Sequence, residues 1–345
     1  GLGDVYKRQT HHGDSSDRAG LSYAVRPETT GMAGMNFRLS PRVCVIGSAN
    51  VDIHGAAYQP LRLRDSNPGS VHVSPGGVAR NIAENLSRLG VDCRLVTAVG
   101  KDPHGKMLLT HGREAGIDMR FVQELESAPT STYLAVLDRC GDMQVAVADM
   151  DIMDQLTAAR LEPMRNAIGE SSLLVIDANL PDDALAWVVN TFPRHDVFAD
   201  TVSTAKAMRL KPYLGRLHTL KTNPAEAEAL TGFEAKTGPD LDRMADWLHA
   251  QGVQRLFLTR ANDGLFYSTG NDRGHVTIEK DGSDVTSSTG AGDAFLAALV
   301  YARLQDWPIE GTLQFAGAAA QVTVADRSPS SPALSLTAIE RVLKL

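Results

Sequence analysis

From residue 41 onward, short apolar runs alternate with stretches whose apolar residues recur at helical spacing. The strand-like runs are Val43–Gly47, Leu95–Gly100, Leu173–Asp177, Asp196–Asp200, Leu217–Lys221 and Arg255–Thr259. Most are predominantly apolar, the pattern of strands covered on both faces. Between them, Val78, Ile82, Leu86 and Leu89 repeat at helical spacing and stop at Gly90, a C-terminal cap. This alternation predicts an α/β fold, a mostly parallel central sheet with helices on both faces.

Two segments interrupt the alternation. Ala56–Pro75 carries Asn67-Pro68-Gly69 ahead of Ser70–Val73, and Thr130–Ala148 reads as a run to Leu137, a Cys140-Gly141 turn and a second run from Gln144. Both predict strand pairs inserted into the core. Paired with each other over the C-terminal ends of the central strands, where open α/β sheets bind ligands, they would form a lid. Residues 1–40 show no sustained apolar period and read as a disordered or extraneous extension, with Met32 or Met35 a plausible start. The expected organisation is therefore an extension over 1–40, a catalytic unit over 41–345, and a β lid from about 56–75 and 130–148.

Composition narrows the partners. A 345-residue chain that is 43% hydrophobic and 22% charged can bury a sizeable core, and a net charge of -7 argues against nucleic acid polymers and anionic membranes. No stretch approaches the ~18 consecutive apolar residues of a membrane span. Cys44, Cys93 and Cys140 are widely spaced without a metal-binding pattern, which predicts buried reduced thiols and a reducing, cytoplasmic compartment.

The chemistry concentrates in Thr289-Gly290-Ala291-Gly292-Asp293, which precedes the apolar helical run Ala294–Val300. Two glycines at a helix start let an anion approach amides that lack intrahelical partners. An acidic residue there repels phosphate unless it must accept a proton from an attacking hydroxyl, which suits Asp293. The plainer alternative is a flexible turn with Asp favoured by the helix dipole. A dinucleotide fingerprint fails because Phe295 stands where its third glycine belongs.

Other candidates lie upstream. Gly76 and Gly77 open the Val78–Leu89 helix, with Asn81 able to donate to and accept from a hydroxyl, and Asp52 follows the first strand, where a carboxylate could hold a polyol. Asn223-Pro224-Ala225-Glu226 is helix-start chemistry, yet Glu226 is also a candidate for water-mediated contact with Mg²⁺. Gly100-Lys101-Asp102-Pro103-His104-Gly105-Lys106-Met107 matches a phosphate loop in spacing. It ends in Met where Ser or Thr should hold Mg²⁺, and no convincing apolar helix follows it. The reading is phosphoryl transfer to a sugar or nucleoside hydroxyl.

Gly76-Gly77-x-x-x-Asn81, with Gly90 and Gly100 downstream, resembles the first signature of the ribokinase-like (PfkB) carbohydrate kinases. Ser288–Asp293 resembles the second, and Asn223-x-x-Glu226 the family's Mg²⁺-and-phosphate motif, in the family's order over about residues 41–345. Ile46–Asp52, Asp65–Gly69, Pro75–Leu86, Leu185–Trp187, Val147–Ile152 and His218–Lys221 are similar to the pseudouridine-kinase branch.

The resemblance implies a ribokinase-like three-layer fold with a β-sheet lid, ATP with Mg²⁺, and the 5′-hydroxyl of pseudouridine as acceptor. Another nucleoside or a free sugar such as ribose or fructose is the alternative acceptor, and a non-catalytic nucleotide-binding regulator the alternative class. It also implies a homodimer through the lid. By position, Asp293 becomes the base, the Gly290, Ala291 and Gly292 backbone the anion hole, and Asp52, Gly76, Gly77 and Asn81 the ribose contacts. Ser66, Asn67 and Thr132 fall where the nucleobase should lie, and Asn223, Thr259, Gly264 and Thr289 beside ATP, with Ala316–Ala320 near adenine. The chain departs from the pattern in two places. Ser287 stands where relatives commonly carry Asp, at the family's monovalent-cation (K⁺) site, and Arg260–Asp263 replaces a glycine-containing turn.

Overall fold

The structure is a computed structural model that describes residues 42–140, 142–260, 263–276, 290–324 and 331–343. The expected extension over 1–40, the Gly141 turn position, Ser287 and Thr289 lie outside the described residues.

The strands are β1 (Arg42–Ile46), β2 (Asn50–Ala57), β3 (Gly69–Gly76), β4 (Asp92–Gly100), β5 (Val122–Leu125), β6 (Thr132–Leu137), β7 (Met143–Asp149), β8 (Leu173–Asp177), β9 (Asp196–Asp200), β10 (Thr219–Thr222), β11 (Arg255–Thr259), β12 (Leu265–Ser268) and β13 (Arg273–Val276). Nine form a central sheet in the order β13-β12-β11-β10-β9-β8-β1-β4-β5. It is parallel from β11 to β5, with β12 and β13 antiparallel at one edge.

Side-chain alternation along β1 shows why two helical layers are needed. Val43 and Val45 enter one apolar cluster, with the helices Val78–Arg88, Ala291–Leu304 and Ile309–Val324. Cys44 and Ile46 enter the other, with Asp182–Thr191, Pro224–Thr231 and Gly238–Ala250. Both faces of the strand are therefore dry, and a continuous apolar run is the sequence that survives there. Cys44 and Cys93 are buried, whereas Cys140 is exposed at the end of the β6–β7 hairpin, against the expectation of three buried thiols.

The lid is a separate four-stranded sheet in the order β3-β2-β6-β7. Its β2–β6 pair is parallel, so the inserted segments meet along β2, which begins earlier than the apolar pattern of 56–75 implies. In register across the sheet lie Val73, Ile53, Leu134 and Val147, and beside them Val71, Gly55, Val136 and Val145. One face of the lid is thus apolar, and on it Val71, Val73, Leu134, Val145 and Val147 are exposed. Among the described residues no helix is long and apolar enough to cross a membrane.

Candidate active site

Three adjacent parallel strands run out onto charges at the same edge: Asp177 on β8, Asp200 beside it on β9, and Lys221 opposite Asp200 on β10. Asp177 is wholly buried and accepts bonds from Ser48 N (2.8 Å), Ser48 Oγ (2.7 Å), Ala79 N (3.1 Å) and Asn179 N (2.9 Å). It thereby ties β8 to the β1–β2 turn and to the first turn of the Val78–Arg88 helix. Ser48 Oγ also accepts from Asn179 Nδ2 at 2.9 Å, and Lys206 donates to Asn179 Oδ1.

Asp200 Oδ1 accepts from Val202 N at 2.7 Å, and its Oδ2 lies 2.9 Å from Lys221 Nζ. Val202 holds φ 64, a left-handed conformation that β-branched residues rarely adopt. Burial opposes the Lys221 charge, but Asp200, Asp293 and Glu226 outweigh it and hold the amine above the usual lysine range. A positive charge is therefore fixed at this edge.

That amine lies against the glycine turn. A Cβ on Gly292 would come within 2.5 Å of Lys221 Nζ, so a side chain there would have to push the amine aside. Gly290, at φ 82, caps the Ala291–Leu304 helix and puts Asp293 in its first turn. The buried Asp293 carboxylate accepts from Asn81 Nδ2 at 2.8 Å, joining two segments 212 positions apart. Burial first, then the negative charge of Asp200, raise Asp293 to about 7, with Asp177 adding to the rise and Lys221 and Asn81 opposing it.

The glycine pair meets the same space from below. A Cβ on Gly76 would come within 2.3 Å of the Asp52 carboxyl, and one on Gly77, at φ 101, within 2.6 Å of Ala49 Cα. Asp52 accepts from Asn50 Nδ2 at 2.6 Å. Burial lifts its pKa, moderated by the Asn50 bond and by the nearby charges of His54 and Arg80. The start of the Val78–Arg88 helix is thus bracketed by two carboxylates, Asp52 against Gly76 and Asp293 bonded to Asn81.

On the other flank, Asn223 and Glu226 form a complete capping box for Pro224–Thr231. Glu226 Oε1 accepts from Asn223 Nδ2 (2.7 Å), while Oε2 accepts from Thr201 Oγ1 (2.5 Å) and Asn223 N (3.2 Å). Thr259 closes β11 with a bond from Oγ1 to Thr222 O at 3.3 Å, and Gly264 at φ 82 accepts from Arg260 N at 2.7 Å.

Residues 40–335 match the pfkB family carbohydrate kinase model. The chain belongs to the pfkB family of carbohydrate kinases. It is 36% identical to pseudouridine kinase of Escherichia coli K12 over 296 residues, covering 85% of this chain and 94% of that protein. It is equally 36% identical over 291 residues to YeiI of the same organism, described as an uncharacterized sugar kinase, covering 84% of this chain and 80% of that protein. The structure of Arabidopsis thaliana ribokinase with ribose and ATP superposes with a TM-score of 0.77 or better, namely 0.79, at 22% identity, over 89% of this chain and all of that one. The fold is ribokinase-like and the activity is that of an ATP-dependent phosphotransferase with an alcohol acceptor.

Kinases of this family use ATP with Mg²⁺. Among the described residues no group of three or more His, Cys, Asp or Glu could cage a metal. Mg²⁺ keeps most of its waters and needs one or two carboxylates plus phosphates, a demand that a single carboxylate such as Glu226 could meet. Both Glu226 oxygens already accept protein donors, which leaves contact through water as the fitting mode for that residue.

Three of the candidates lie in the lid segments. Asn67 lies in the β2–β3 loop, where its Oδ1 accepts from Arg62 N and its Nδ2 donates to Arg62 O and Asp65 O. Ser66 is exposed beside it, and Thr132 opens β6 opposite Val51. A helix, Pro103–Glu114, begins inside the phosphate-loop look-alike. Its N-cap Asp102 accepts from Gly105 N, Thr130 N and Thr130 Oγ1, filling the loop with a carboxylate. The sequence reading assigns no chemistry to Lys221, Asp200 or Asp177, each of which ends a strand-like run. The available signal was a charge closing an otherwise buried strand, which is costly unless a partner meets it.

Proposed function

We propose that this kinase transfers the γ-phosphoryl group of ATP to the 5′-hydroxyl of pseudouridine, giving pseudouridine 5′-phosphate and ADP. The observation that carries the reading is the Asn81–Asp293 bond at the glycine turn, with Lys221 packed against Gly292. In this account the acceptor hydroxyl loses its proton to Asp293 as its oxygen bonds to phosphorus, and the bond from phosphorus to the ADP oxygen breaks. First-turn amides from Ala291 onward and the Lys221 ammonium stabilise the charge on the moving group. Glu226 would hold Mg²⁺ through water, and the ion would neutralise phosphate charge. Asp52, with Gly76 and Gly77 giving close backbone approach, holds the ribose hydroxyls, while Ser66, Asn67 and Thr132 serve the nucleobase end. Asn223, Thr259, Gly264 and Thr289 serve the nucleotide.

Pseudouridine is favoured by the similarity to the E. coli pseudouridine kinase over 85% of the chain. The equal similarity to a sugar kinase supports a second reading, a free sugar held by the same Asp52 and glycine pair. The exposed apolar face of the lid supports a homodimer through that sheet.

Incubation with ATP, Mg²⁺ and pseudouridine, followed by ³¹P NMR, tests the chemistry. A phosphomonoester on the 5′ carbon is expected from the native enzyme. Asp293→Asn should lower turnover by about 10²-fold or more while still binding the nucleoside. An active Asn variant would place the base elsewhere.

A further inference from the structure

Arg80 is wholly buried beside the glycine pair, and the chemistry so far leaves it without a task. Its Nε donates to Gly76 O (3.0 Å), and its Nη2 donates to Pro75 O (3.0 Å) and to Asn81 Oδ1. Its Nη1 pairs with Glu84 Oε2 at 2.5 Å. Glu84 is buried too, and its Oε1 meets Arg88 Nη2 at 2.5 Å from the solvent side. His111 Nδ1 lies 3.5 Å from Arg80 Nη1 and 3.7 Å from Glu84 Oε2.

A carboxamide can sit either way round, with oxygen and nitrogen exchanged. Asn81 cannot, because a guanidinium only donates and a carboxylate only accepts. Lodged between Arg80 and Asp293, it must turn Oδ1 to the first and Nδ2 to the second. Flipped, it would set oxygen against the Asp293 carboxylate and NH₂ against the guanidinium.

We propose that Arg80 is a positioning residue for phosphoryl transfer, fixing the Asn81 amide and through it the Asp293 carboxylate. Its remaining donors clamp the Pro75 and Gly76 carbonyls, and so the turn that packs on Asp52. This deepens the reading of Asp293 as base and rests on it. The charged groups facing Asp293 are Asp177 from β8, Asp200 from β9, Lys221 from β10 and Arg80 from its own helix, with Asp52, Glu84 and His111 around Arg80. Loss of Arg80 removes a nearby positive charge and frees the amide. Both changes favour the protonated carboxyl.

The test is the double variant Arg80→Met with Glu84→Leu, which removes both members of the buried pair, a replacement that cores often tolerate, while Arg88 swings to solvent. It should fold with kcat lower by about ten- to a hundredfold, acceptor KM changed less, and the acidic limb of kcat/KM moved to higher pH. Adding Asn81→Ala should cost little more, because both changes break one chain of contacts. Full turnover with an unmoved limb overturns the proposal, as does a loss that simply multiplies with that of Asn81→Ala. Should the double variant not fold, Arg80→Lys keeps the charge without the planar fork, and native kcat and limb in that variant overturn it equally. Asp293→Asn in the native background separates the two ideas. Turnover in that variant removes the base reading, whereas the coupling between positions 80 and 81 tests the positioning.

Discussion

A carboxylate that takes a proton during turnover works best with a pKa near the working pH, and Asp293 reaches about 7 through burial beside Asp200 and Asp177. As the proposed base, Asp293 would act deprotonated, so kcat/KM should fall as pH drops through about 7, which a pH profile with saturating MgATP checks. Lys221 opposes that rise and balances Asp200. Lys221→Met should therefore lower kcat by roughly 10²-fold, as loss of a preorganised charge does, and shift the limb to higher pH. A variant with native kcat would remove Lys221 from the transition state. Of these residues, Asp293 and Asn81 were legible as candidates because glycines and a helix start flag them, and Asp52 because it follows the first strand. Lys221 and Asp200 were not, since each is a lone charge at the end of a strand whose partner comes from the neighbouring strand.

At the scale of elements, the buried parallel strands were readable because both faces are dry and their runs are mostly apolar. β2 was not, since its Asn50–Ala57 run mixes Asp52, His54 and Gly55 as it leaves the core for the lid. β5, β12 and β13, each four residues long, sit at or near sheet edges, where neither length nor pattern separates a strand from a loop. The turn after β9 carries its own prediction. Val202 at φ 64 is strained by its branched Cβ, while its amide serves Asp200. Val202→Gly keeps that bond and should raise stability by about 1 kcal/mol, read as a higher Tm. A lower Tm would mean that side-chain packing outweighs the strain.

For the whole molecule, the lid is where sequence and fold diverge most in what they disclose. Its strand pairs were visible as interruptions of the helix–strand rhythm, but the parallel β2–β6 joint between segments far apart in the chain was not. That joint aligns the apolar side chains into one exposed face. A dimer through this face should dissociate in Val73→Asp with Val147→Asp, read by sedimentation velocity; an unchanged native monomer would contradict it. The acceptor is the central claim, because fold and family leave open which hydroxyl compound is phosphorylated. The direct measurement is kcat/KM for MgATP-dependent phosphorylation of pseudouridine, uridine, adenosine, ribose and fructose by the same preparation. The account predicts that pseudouridine gives the highest value, and a higher value for any of the others would contradict it.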